Sequence, residues 1–152
     1  MAKTRTPVQG TGVTRSDFDG DDVAASGDPF NYSLPHTPSG VVAVRYSSAP
    51  HNDYLIGQSA VPSTAERDDW FGNSVAILNP NGTGPLDAVV AAFGEEVTGD
   101  TAGDPSGAIT RFHGSTGGLV PQSTMWTGLA LRTDRIWPQS YGLNIAGPQS
   151  TY

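Results

Sequence analysis

The chain has 152 residues, 36% of them hydrophobic and 15% charged, with 19 glycines, 12 prolines and no cysteine. That length suits one domain able to bury a core without a covalent staple, and the lack of cysteine excludes a disulfide framework, a thiolate zinc site and a cysteine nucleophile. The net charge of −7 is divided unevenly: Lys3, Arg5 and Arg15 precede every acid, so the first fifteen residues carry +3 and the remainder −10, which sets the body of the chain against direct binding to nucleic acid or anionic membrane.

Residues 1–39 hold Pro7, Pro29, Pro35 and Pro38, Gly10, Gly12, Gly20 and Gly27, and the acidic run Asp17 to Asp22. No window shows a sustained period of 2 or 3.6, so the segment reads as an extended N-terminal arm without long elements. Its first residues lack the apolar stretch of a secretory signal, and apolar runs such as Ala88–Phe93 fall far short of the ~20 residues a membrane helix needs. The expectation is a chain made in a host cytoplasm with no signal peptide and no membrane partner.

From Gly40 the pattern becomes β-rich, and 40–145 reads as the core domain. Val41–Tyr46 is a strand stopped by Ser47-Ser48-Ala49-Pro50, and Tyr54–Val61 is a second, closed by Pro62. Ser63-Thr64-Ala65-Glu66 has the spacing of a capping box and predicts a short helix to Trp70 or Phe71, ended by Gly72. Ser74–Leu78 is a third strand, followed by the turn Asn79-Pro80-Asn81-Gly82. Pro85–Phe93 places Leu86, Val89, Val90 and Phe93 at helical spacing and reads as a short amphipathic helix, with a strand through Ala88–Phe93 as the rival. Glu95–Gly107 is a loop. Ala108–His113, Met125–Arg132 and Arg135–Ile145 are further strands, Pro138 marking an edge or bend in the last. Residues 146–152 form a polar C-terminal tail. Short strands with frequent turn punctuation predict a mainly β fold: one β-sandwich or barrel-like domain with one or two short helices and extended N- and C-terminal arms.

Residues with chemical potential are scattered. Calcium-loop spacing fails from Asp17 onward, because Gly20 falls at the fourth position and Asp28 at the twelfth; a solvated acidic turn is the plainer reading, and a cation there stays open. His36, His51 and His113 are isolated, with no HxH or HExxH spacing. His113-Gly114-Ser115-Thr116-Gly117-Gly118 is not a nucleophile elbow and reads as a glycine turn. Gly10-Thr11-Gly12 is no phosphate loop. The neighbours Asp68-Asp69 and Glu95-Glu96 diverge on any regular backbone, so adjacency makes no acid–base pair. No catalytic residue, cofactor or metal site is expected.

Aromatics and arginines are better read as contact material. Trp70, Trp126 and Trp137, with Tyr46, Tyr54, Tyr141 and Phe112, supply large amphipathic surfaces, most of them for the core. Lys3, Arg5, Arg15 and Phe18 in the arm, and Arg135 with Trp137 near the end, are the candidate intersubunit contacts, since Trp and Arg are enriched at interface hot spots. The sequence therefore predicts a structural component of a large assembly: a bacteriophage-type virion protein (minor capsid, cement or decoration, or tail subunit). Its partners would be a major capsid or tail protein or further copies of itself. The alternative is a β-sandwich carbohydrate-binding module using exposed aromatics; a small enzyme would require His113 or His51 to meet a carboxylate in a cleft.

Overall fold

A computed structural model describes residues 13–17, 22–28, 39–46, 53–78, 87–97, 100, 105–115, 117–131 and 145. Over these the chain is mainly β. Its strands are β1 (Val13–Asp17), β2 (Asp22–Asp28), β3 (Val41–Tyr46), β4 (Tyr54–Gly57), β5 (Phe71–Leu78), β6 (Asp87–Ala92), β7 (Ala108–Ser115) and β8 (Gly118–Thr127), with short 3-10 turns at Gln58–Ala60 and Leu129–Leu131. They form two four-stranded sheets in sequential order, β1-β2-β3-β4 and β5-β6-β7-β8, with every pairing antiparallel. Neither sheet closes into a barrel among the described residues. No described helix is long and apolar enough to cross a membrane.

The sheets share one apolar cluster. Val42 and Val44, two apart on β3, face the same way, and Ile56 on β4 pairs with Val42 and joins them. From the second sheet come Phe71, Val75 and Ile77 of β5, Ala88, Val90 and Ala92 of β6, and Phe112 of β7. Phe71 and Phe112 meet edge to face, ring centroids 6.4 Å apart and planes at 68°, the arrangement that sets a ring edge against a ring face. β5 lies against β1, β2 and β3, so it is the strand through which the second sheet touches the first.

The two sheets are joined by a backbone crossing. The Phe71 N–H donates to the Ser39 carbonyl at 2.6 Å. Gly40 (φ +97) and Gly72 (φ +84) flank this bond, and a Cβ at Gly72 would come 2.6 Å from the Val41 carbonyl oxygen. A Cβ at Gly40 would overlap the Phe71 carbonyl oxygen. Gly72 also lies in an irregularity where β5 runs from Phe71 to Ser74 while β6 advances only from Ala92 to Ala91. Such a bulge bends the strand and re-aims its neighbours.

Several expectations are corrected. Pro85–Phe93 is not a helix: Asp87–Ala92 is the strand β6, buried at every position. A central strand covered on both faces reads as an unbroken apolar run, which imitates helical spacing over so short a length. Ser63–Phe71 is not a helix either. The Ser63 hydroxyl accepts from Gln58 Nε2 instead of capping, and the Glu66 N–H is taken by Asp69 Oδ2 at 2.6 Å. The strand expected over Met125–Arg132 instead spans Gly118–Thr127. Within the segment read as an arm without long elements, the short strands β1 and β2 pair with each other and β2 pairs onto β3. The Asn79–Gly82 turn lies outside the described residues, as does the Arg135–Ile145 strand save Ile145.

Ala at Gly40 or Gly72 should cost about 2 kcal/mol or more, a left-handed backbone with a side chain adding to steric overlap. Ala at Gly117, where the nearest atom to an added Cβ is Ser115 Oγ at 3.7 Å, should stay within about 0.5 kcal/mol. Urea midpoints of the three variants check the contrast.

Candidate functional site

At the end of the second sheet where β5 begins and β6 ends, residues 58–70 and 93–97 meet the end of β8. Between them is an open cleft of about 570 Å³. Its lining includes the acids Glu66, Glu95 and Glu96, the hydroxyls of Ser63 and Thr127, and Met125.

Behind the cleft is a buried polar cluster. Gln58, Asp69 and Glu95 are 1%, 2% and 4% exposed. Gln58 Nε2 donates to Glu95 Oε2 and to Ser63 Oγ at 3.3 Å. Gln58 Oε1 is buried without a hydrogen-bond partner. The backbone around Asp69 is strained: Asp68 and Trp70 both have positive φ, 69° and 54°, a region non-glycine residues seldom occupy and one that concentrates at functional sites. The turn is held by the Gly94 N–H donating to the Asp69 carbonyl at 3.1 Å, by the Phe93 N–H donating to Asn73 Oδ1 at 3.3 Å, and by Trp70 packing on Phe93 with centroids 4.2 Å apart.

Burial dominates the electrostatics. It pushes the Glu95 carboxyl up to about 8, helped by the charges of Asp69 and Glu66, with hydrogen bonds from Gln58 and Ser63 opposing. Burial likewise raises Asp69 to about 6, against hydrogen bonds from the Glu66 backbone and Gln58. Two carboxyls in one desolvated pocket resist carrying charge together. Near neutral pH the pair therefore shares about one proton.

A second cluster lies on the face that β6 and β7 turn away from the core. Asp87, 1% exposed, takes the Arg111 Nε at 2.6 Å, an ion pair with Arg111 Nη2, the Gly114 N–H at 2.9 Å and the His113 Nδ1 at 3.0 Å. His113 thus meets a carboxylate, but on an open sheet surface; neither residue lines the cleft. Ser115 Oγ is engaged in its own hairpin turn, donating to the Gly118 carbonyl at 2.8 Å and accepting the Gly117 N–H at 3.2 Å.

Of the contact residues expected from sequence, Lys3, Arg5, Phe18, Arg135 and Trp137 lie outside the described residues, and Arg15 is described only as a backbone position of β1. His36 and His51 also lie outside. Among the described residues, no group of three or more Asp, Glu or His side chains is arranged as metal ligands. Both acidic pairs diverge: Asp68 is exposed while Asp69 is buried, and Glu96 is more exposed than Glu95. What spacing could not show is that the inward member of each pair meets the other across Gln58. Neither a family model nor a characterised protein matches the chain.

A carboxyl raised by folding binds its proton more tightly in the folded chain than in the unfolded one. Its stabilising contribution is therefore present at low pH and lost as pH rises through the folded value. In metal-free buffer between about pH 6.5 and 7.5, folding should take up about one proton, seen as a falling urea midpoint as pH rises. Glu95→Gln should flatten that dependence.

Proposed function

We propose that the chain is a structural subunit of a large assembly, of the bacteriophage virion type, and not an enzyme. The observation that carries the reading is an exposed apolar pair on an edge strand. Val120 and Trp126, on β8, are 50% and 40% exposed. Through their pairing with His113 and Ile109 they share the outer face of the second sheet. β8 has β7 on one side and no second neighbour among the described residues. Exposed apolar groups on an open edge invite a partner, because an unpaired edge is a template for further pairing and the apolar side chains gain from leaving water. Pro121 and the register shift between Thr110 and Phe112 limit how far such pairing runs.

Within this reading the two sheets make a β-sandwich body, and the arm that laces neighbours is the stretch before β1, with Lys3 and Arg5 as its charged contacts. Arg15, Phe18, Arg135 and Trp137 are proposed as further contacts on the same partners. Lacing by extended segments suits an assembly because each ordered residue adds backbone hydrogen bonds to a neighbour. The second reading, a carbohydrate-binding module, rests on Trp126 alone as a stacking platform.

Sedimentation of the native protein in its source material should place it with megadalton particles. Trp126→Ser should reduce that association by about tenfold or more, as expected at a hot spot, with the fold unchanged by circular dichroism. A native protein running as a free monomer, with Trp126→Ser instead abolishing retention on a glycan column, would overturn the assembly reading in favour of the second.

A further inference from the structure

We propose that the cleft seats the basic N-terminal segment, residues 1–12, of a second copy of this chain, so that two facing copies exchange arms. The inference rests on the assembly reading above, for which it names the receptor of the arm. The first observation is position. β4 ends at Gly57, opposite Val41 at the start of β3, and the next residue, Gln58, belongs to the cluster behind the cleft. Asp28, the last residue of β2, also pairs with Val41. Val13 pairs with Ser26, so β1 begins at this same end of the first sheet. The segment before β1 therefore leaves the body at the cleft end, three strand spacings (~14 Å) from β4. Lys3 and Arg5 stand ten and eight residues before Val13, a tether of roughly 30 Å when extended.

The second observation is chemical fit. Among the described residues the cleft is lined by Glu66, Glu95 and Glu96 and by no basic residue. Glu66 is exposed, and the adjacent Arg67 is paired with Asp68 at 4.0 Å. Apolar surface from Pro62, Met125 and Leu129 lies beside the acids. The cleft thus offers negative charge to an ammonium or guanidinium head and an apolar wall to its aliphatic stem. Lys3 and Arg5 are the most closely spaced basic pair in the chain, and residues 1–12 contain no acid, so the cleft attracts this segment and repels the acidic body. Because arm and cleft share one end of the molecule, two copies meeting there fill each other's clefts across a single two-fold contact. Exchange keeps the contacts of docking within one chain and adds the tie between copies that lacing requires.

The chain has no cysteine, so single introduced cysteines report the meeting. Thr4→Cys lies between Lys3 and Arg5 and Thr64→Cys on the cleft wall; neither removes a charge. Full-length Thr4→Cys and Thr64→Cys chains, mixed at about 1 mM under mild oxidation, should link between copies, as read by mass spectrometry of the joined peptides. The link should form about tenfold or more faster than between Thr4→Cys and Gly117→Cys chains, Gly117 being exposed at the far end of the second sheet. Adding Lys3→Glu and Arg5→Glu to the Thr4→Cys chain should remove that preference, and about 0.5 M salt should cut it severalfold. No preference over Gly117→Cys, or a doubly substituted Thr4→Cys/Thr64→Cys chain that closes only within itself, would overturn the proposal. Particle-bound protein without the link would leave the assembly reading standing and remove this cleft as its receptor. The link in a chain that joins no particle would uphold the exchange and remove the particle.

Discussion

The hydrogen bond from the Phe71 N–H to the Ser39 carbonyl, only 2.6 Å long, ties the start of β5 to the start of β3. Carbon atoms at Gly40 and Gly72 would collide with backbone on the opposite segment, so the two segments approach as closely as bare backbone permits. Both glycines also take positive φ, which lets each chain turn away from the crossing immediately after it. One cluster of side chains then draws on both sheets. The sheets' joint burial of Val42, Val44, Phe71 and Phe112 depends on that contact distance, because dispersion and hydrophobic burial both fall away steeply once a gap opens.

The crossing also shapes what lies next to it. Forcing β5 to begin with a bulge leaves Gly72 and Asn73 outside the ladder with β6, and Asn73 reaches across to the Phe93 N–H. Just before, Asp68 and Trp70 are held in an unfavourable backbone conformation by the bond from Gly94 to Asp69 and by Trp70 on Phe93. Asp69 is turned inward by this arrangement and reaches Gln58 and Glu95. The polar cluster therefore follows from the sheet junction rather than standing apart from it, and its strain is carried by the packing of two rigid strands on either side.

The opposite edge of the same sheet has a different character. β5 and β6 are buried on both faces, and on the outer face Ser74 exchanges hydrogen bonds with the Ile145 backbone. β7 alternates buried with more exposed positions, and β8 leaves Val120 and Trp126 to solvent. The second sheet thus grades from a fully enclosed strand pair to an open edge. Asp87, ion-paired with Arg111 and hydrogen-bonded to His113, lies between these regimes, a buried carboxylate met by a guanidinium and a backbone N–H.

What the residues determine by themselves is local. The β-branched run Val41–Tyr46, the mixed apolar and polar run Ala108–His113 and the glycine turn after Ser115 are visible in sequence because strand packing and turn geometry act over a few neighbours. The arginines and tryptophans assigned to contacts come from composition and carry no geometry of their own. Tertiary structure decided the rest. It made Asp87–Ala92 a strand, because cover on both faces erases the polar alternation that separates strand from helix in so short a run. It broke the capping-box helix, because Asp69 offered the Glu66 N–H a closer acceptor. It brought Gln58 and Asp69 of one stretch together with Glu95 of another, and only the packing of two sheets around a bare-backbone crossing could place those side chains in one pocket, since no spacing in the sequence encodes a meeting across the fold.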